Sequence, residues 1–169
     1  MTSSLSFRKA TVSDIPGIKK ILDEAREAQR QQGFAQWEEG YPSKGVIAAD
    51  IESGRGYLLE EGTKLTAYSA IGFSDREYER LENIWNHHGP YGVIHRTGIA
   101  DRYRGRHVSA ILLDFCEKVI RDNGAGAVRI DTGTNNRVML HILSKRGYIN
   151  HGVQNFIWGE RIALEKIFT

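Results

Sequence analysis

The chain has 169 residues, 40% hydrophobic and 26% charged, and its 23 Lys and Arg against 21 Asp and Glu leave a formal net charge of +2. This size and composition suit one globular domain over residues 1–169, and the near-balance of charge gives no general electrostatic attraction to nucleic acid or to a membrane surface. A lone cysteine, Cys116, excludes an internal disulfide framework, and no stretch is long and apolar enough to span a bilayer, so a reducing, cytoplasmic setting is expected.

Leu5–Ala10 reads as a short strand. Pro16 is tolerated only in the first turn of a helix, so Ser13 is favoured over Thr11 as the cap of a helix that buries Ile15, Ile18, Leu22 and Ala25. That helix stops at Gly33. The next segment, Phe34 to Pro42, has no regular period and carries Trp37, Tyr41, Glu38 and Glu39. Loops with large aromatics line binding sites or pack helix corners, and both readings stand for Trp37 and Tyr41. Ser43–Ser53 reads as a second helix. Gly56–Glu61 and Lys64–Phe73 read as two strands joined by a hairpin-length turn. Asp75–Leu81 fits a short helix or an irregular crossing, and Trp85 to Tyr91 a polar aromatic loop. His87 and His88 are adjacent with no third ligand nearby, so no metal site is expected there.

Val93 to Leu113 is the central stretch. Extended, it places Val93, His95, Thr97 and Ile99 on one side and Ile94 and Arg96 on the other. From Val108 the period becomes helical through Ile111, Leu112, Phe115 and Val119. Between the two lies a glycine and three arginines, Arg102, Arg104 and Arg106. A helix starting just after such a turn presents free backbone N–H groups and the positive end of its dipole, which suit a phosphate or pyrophosphate. A solvated basic connection is the plainer alternative. The turn is neither a three-glycine dinucleotide fingerprint nor a Walker loop, which argues against NAD binding and nucleotide hydrolysis.

Beyond the helix Val108–Asn123, Ala127–Thr132 reads as a strand, Asn136 as the cap of the helix Arg137–Arg146, and Gly147–Trp158 as a strand kinked at Gly152. Arg161–Phe168 reads as a final strand, whose edge offers a route to a homodimer. Strand–helix–strand units require parallel pairing and the earlier hairpin requires antiparallel pairing. The expected fold is mixed α/β, a twisted sheet of six to seven strands with helices on both faces.

Arg102-Tyr103-Arg104-Gly105-Arg106-His107 resembles the Gln/Arg-x-x-Gly-x-Gly/Ala motif of the GCN5-related N-acetyltransferases, the GNAT superfamily. Asn136-Arg137-x-Met139-x-x-Ile142-Leu143-x-Lys145-x-Gly147-Tyr148 is similar to the family's second motif, and Arg8-Lys9-Ala10 with the helix near Asp14 to its opening elements. A smaller group of bacterial-type acetyltransferases carries a Gln-Trp…Gly-Tyr-Pro segment like the one around Trp37 and Tyr41. The resemblance implies the GNAT fold and acetyl-CoA as co-substrate, with no metal. It implies that Thr97, Gly98 and Ile99 meet the pantetheine arm. Arg102, Arg104, Gly105, Arg106, His107, Val108 and Ser109 would then meet the pyrophosphate, and Asn136 the CoA arm. His107 departs from the motif, which has a small residue at that place. Either it contacts the phosphates or its side chain turns to solvent. The tyrosine that often serves the family as general acid, four residues before the motif glycine, is Leu143 here.

The implied reaction is direct attack of a primary amine on the thioester of acetyl-CoA. An alkyl ammonium is neutral in only about one molecule in two thousand at pH 7, a cost of roughly 4–5 kcal/mol, so a base must take its proton. His95 is the best candidate, on the central strand and with a side chain suited to proton transfer near neutrality; a histidine in a structural hydrogen bond is the alternative. Glu38, Glu39 and Asp131 are lesser candidates, and Asp131 is expected to face the same way as Arg129. Acceptors would be small-molecule or peptide amines, with Trp37 and Tyr41 as walls. The missing tyrosine and His107 keep a second class open, a non-catalytic acyl-CoA-binding sensor or interaction module on the same fold.

Overall fold

In the computed structural model, which describes residues 4–169, seven strands and five α-helices follow the expected order. They are β1 (Leu5–Lys9), α1 (Ile15–Gln31), α2 (Lys44–Glu52), β2 (Gly56–Glu61), β3 (Lys64–Gly72), α3 (Arg76–Arg80), β4 (Tyr91–Ile99), α4 (Val108–Asp122), β5 (Ala127–Thr132), α5 (Arg137–Lys145), β6 (Ile149–Phe156) and β7 (Gly159–Ile167). The strands form a mixed sheet in the order β1-β2-β3-β4-β5-β7-β6. The chain divides into two compact units, one formed by the chain up to Ile71 with Arg96–Phe115, the other by Gly72–His95 with Cys116–Thr169.

The first unit is built on antiparallel pairs, Leu5↔Glu61 through Lys9↔Tyr57 and Gly56↔Ala70 through Glu61↔Lys64. Helix α1 does not use Ser13 as its cap. A single 3-10 turn, Val12–Asp14, precedes it, and Asp14 is its N-cap residue. The Asp14 carboxylate accepts from the Thr11 backbone N–H at 2.7 Å and from the Thr11 hydroxyl at 3.1 Å, and it also binds Arg8. The carboxylate makes no bond to the N–H groups of α1; it closes the capping box of the 3-10 turn with Thr11, so the helical path starts at Thr11, ahead of Ser13. Ile18, Ile21, Leu22 and Ala25 form the buried face of α1. That face lies tight against β4: a Cβ built on Gly98 would stand 2.9 Å from Leu22 Cδ2 and 3.2 Å from Ala25 Cβ.

The second unit pairs β4 and β5 in parallel, Tyr91↔Ala127 to Val93↔Arg129, and then β5 and β6 antiparallel to β7. The final strand is therefore interior, bonded on both sides, and the free edge belongs to β6. This corrects the expectation of an exposed last strand. The reason is that β7 pairs along its other side with β5, from Ala127↔Ile167 to Thr132↔Ile162, and so lies between β5 and β6. Gly152 kinks β6 as expected, with φ +84 and a register shift between Asn150 and Val153. Strand β4 begins at Tyr91, earlier than its apolar pattern suggests, and Gly92 is packed against Ile120 Cγ1 with room for no Cβ. Tyr78, Trp85, Val93, Phe156 and Ala163 form a buried apolar cluster in this unit.

Candidate functional site

His95 sits on β4 in the second unit, between two carboxylates. Its Nε2 is 2.9 Å from Asp75 Oδ2, and its Nδ1 is 4.0 Å from Asp131 Oδ1. Asp75 owes its place to a second task. As N-cap of α3 its other oxygen accepts from the N–H groups of Glu77 and Tyr78, while its own N–H donates to Tyr91 Oη. Burial pushes the Asp75 carboxyl up, but the His95 contact and the two backbone donors outweigh this and hold it below its ordinary value. Asp75 is then an acceptor only, so in a neutral imidazole Nε2 would carry the proton and Nδ1 the lone pair.

Asp131 is anchored separately. Tyr78 Oη donates to its Oδ1 at 2.5 Å, and Trp158 Nε1 donates to its Oδ2 at 3.1 Å. Burial, then the charge of Asp131, pushes the Tyr78 phenol well above its ordinary range, so Tyr78 is a fixed donor and not an acid. The rings of Tyr78 and Trp158 stand edge-on to His95 at 5.6 and 6.0 Å, and Trp158 stacks on Phe156 at 5.2 Å. Arg129, expected beside Asp131, instead lies 3.8 Å from buried Glu165 and between the rings of Trp85 and Tyr91. Alternation along β5 gives the two residues a common face but not a common partner.

In the first unit, Arg96 has φ +49, so the alternation expected for β4 breaks one residue after His95. Its guanidinium binds Asp50, Nε to Oδ2 at 2.8 Å and Nη2 to Oδ1 at 2.5 Å. Tyr68 Oη donates to the same Oδ2 at 2.7 Å. Nη1 reaches toward Tyr41 Oη at 3.5 Å. Trp37 stands edge-on to Tyr41, ring centres 6.5 Å apart, and Glu38 is exposed in the same turn, where its carbonyl accepts from the Tyr41 N–H at 3.1 Å. Ser69 and Thr97 share a hydroxyl contact of 3.1 Å across β3 and β4.

The turn before α4 offers donors. Gly105 has φ +78 with nothing within 4 Å of the place a Cβ would take, and His107 has φ +61. The motif's preference for a small final residue has its physical basis here, because a left-handed residue favours glycine. The Ile111 N–H donates to the His107 carbonyl, and the amides of Val108 and Ser109 belong to the opening turn of α4 ahead of it. Exposed Arg102 and Arg106 lie over the Tyr103 ring, at 5.5 and 5.9 Å, whereas Arg104 is turned onto Asp101 and the Ile99 carbonyl. Open space, amide donors and two exposed cations fit a polyphosphate. Asn136 caps α5 through Met139 N–H and donates to Thr132 Oγ1 at 3.1 Å. Leu143 is fully buried, and the Tyr148 hydroxyl is taken up by Glu117 at 2.9 Å. Among the described residues no group of three or more His, Cys, Asp or Glu is placed to hold a metal ion, and no helix is long and apolar enough to cross a membrane.

The chain matches the acetyltransferase (GNAT) family over residues 19–148, and it belongs to that family. A GNAT-family acetyltransferase structure from Streptococcus agalactiae superimposes with a TM-score of 0.85 at 30% identity, covering 98% of this chain and 96% of that one. The PaiA N-acetyltransferase of Thermoplasma acidophilum, solved in complex with coenzyme A, gives 0.72 at 15% identity over 98% of this chain and 99% of that one. YncA of Salmonella typhimurium, solved with acetyl-CoA, gives 0.71 at 14% identity over 98% and 94%. The last two share the fold. No curated protein matches the chain.

Asp75, Tyr78, Trp158 and the Asp50–Arg96–Tyr68 group escaped the sequence reading. The only linear trace was Asp75 ahead of a short helical segment, a capping signal.

Proposed function

We propose that residues 1–169 act as one acetyl-CoA-dependent N-acetyltransferase domain that acetylates a primary amine by direct attack. The observation that carries this reading is the imidazole of His95 held between Asp75 and Asp131 on β4. Acetyl-CoA supplies the activated acetyl group. Thr97, Gly98 and Ile99 meet its pantetheine arm through the strand backbone. Arg102, Arg106 and the amides around Gly105, His107, Val108 and Ser109 hold the pyrophosphate, with Arg104 bracing the turn, and Asn136 meets the CoA arm while capping α5.

A small-molecule or peptide amine arrives as an ammonium. His95 Nδ1 takes its proton, directly or through water, and the imidazolium is stabilised by Asp75 on one side and Asp131 on the other. The amine nitrogen then bonds to the thioester carbon, the carbon–sulfur bond breaks, and the excess proton on the new amide nitrogen passes to the leaving thiolate or to water. Leu143 supplies no proton to the thiolate. Trp37 and Tyr41 wall the acceptor, and Glu38 is the second carboxylate candidate for proton removal. The enzyme is cytoplasmic on this reading.

The test pairs calorimetric acetyl-CoA binding with a free-thiol assay over an amine panel, for the wild type, Gly105→Trp and His95→Gln. Gly105→Trp is expected to abolish binding. His95→Gln is expected to bind acetyl-CoA as the wild type does while losing about 100-fold or more in kcat. Binding without thiol release from any amine would instead establish the non-catalytic module.

A further inference from the structure

We infer that Arg96 and Tyr41 form a two-donor site for a carboxylate on the acceptor, so that the amine acetylated belongs to an amino-acid-like molecule; this rests on the acetyl-transfer reading above. The Arg96 guanidinium is immobilised along one edge. Nε and Nη2 are spent on Asp50, a carboxylate only 4% exposed that also accepts from Tyr68. Burial draws the guanidinium pKa down, yet Asp50 more than offsets it, so the side chain stays charged. What remains for a ligand is Nη1, with the outer hydrogen of Nη2 beside it.

Tyr41 is placed beside that nitrogen by its own backbone. The Tyr41 carbonyl accepts from Arg26 Nη1 at 3.3 Å, the Pro42 carbonyl accepts from Lys19 Nζ at 3.2 Å, and Pro42 is buried. Both cations come from α1 and are themselves tied to Asp23, so the loop backbone is pinned while Tyr41 stays 37% exposed. Nη1 and the phenol oxygen are 3.5 Å apart, at the limit of a hydrogen bond, so neither satisfies the other well. The phenol hydrogen and the Nη1 hydrogens are thus two donors at one place, neither met there by a strong acceptor among the described residues. A carboxylate supplies acceptors to both, with a charge-assisted bond to the guanidinium. The left-handed backbone at Arg96 costs of order 1 kcal/mol and is a strain that such sites retain. A plain alkylamine would leave both donors unanswered, which is the condition under which a polar site discriminates most strongly.

The experiment compares acceptors in pairs that differ only by a carboxylate, L-lysine with cadaverine and L-arginine with agmatine, in wild type, Tyr41→Phe and Arg96→Lys. In parallel, calorimetry measures binding of N-acetyl-lysine and of its amide. The wild type is expected to prefer the amino acid, and Tyr41→Phe to cut that preference in kcat/KM about tenfold, mainly through KM. Arg96→Lys, which keeps a cation beside Asp50, is expected to move the preference the same way. An unchanged preference in Tyr41→Phe, or a wild type that favours the decarboxylated amine, overturns the inference and leaves acetyl transfer standing. If no amine releases thiol, the transfer reading fails, and calorimetry decides the site by itself: N-acetyl-lysine binding tighter than its amide and weakened in Tyr41→Phe sustains it, and equal or no binding overturns it.

Discussion

His95 Nε2 lies 2.9 Å from Asp75 Oδ2, and the same Asp75 side chain caps α3. The two tasks separate in Asp75→Asn, because asparagine caps a helix about as well as aspartate but carries no charge. On the proposed base role of His95, loss of this charge withdraws electrostatic support from the imidazolium formed in the reaction. The expected fall in kcat/KM is about 10- to 100-fold with thermal stability nearly unchanged, read from pH–rate profiles beside a melting curve.

The left-handed residues before α4 make opposite predictions. His107→Gly removes a side chain from φ +61 and is expected to stabilise the fold by about 0.5–1 kcal/mol, measured by urea denaturation. Gly105→Ala adds a Cβ that meets nothing within 4 Å, so any loss comes from its φ of +78, about 1 kcal/mol.

Asp14 is held down to about 2 from 3.8, chiefly by its hydrogen bonds to Arg8 and against the effect of burial. A carboxylate with a depressed folded pKa contributes stability above its unfolded value, near 3.9, and loses it as pH falls toward about 2. Asp14→Asn is therefore expected to cost roughly 1 kcal/mol at pH 7, after discount for the partly exposed Arg8, and almost nothing near pH 2. Denaturant midpoints across that range check it.

Gly92 is a packing glycine. A Cβ there would stand 2.5 Å from Ile120 Cγ1, 2.6 Å from Cγ2 and 2.7 Å from Cδ1, and Ile120 is fully buried. A β-branched core residue has no free rotamer to yield, so Gly92→Ala is expected to cost about 1–3 kcal/mol in equilibrium unfolding.

Periodicity alone determined most of the architecture here. The change from period two to period 3.6 at Val108, the glycine turn at Gly105 and the strand–helix alternation after it placed the basic turn before α4, and the Arg102–His107 motif pointed to the family. These are local signals, carried by residues that are neighbours in the chain. Tertiary structure decided the rest. Asp75, Tyr78, His95, Asp131 and Trp158 are spread over 84 positions of chain, and nothing in their spacing announces that one imidazole would fall between two of their carboxylates. Likewise Asp50 and Arg96 lie 46 residues apart and meet only because α2 and β4 are brought together. Long-range polar partners are chosen by burial, which makes an unpaired charge costly and so selects whichever donor the fold delivers. The order of the last two strands was likewise beyond linear reading, because a strand's own sequence does not say whether it ends up at the edge or inside the sheet.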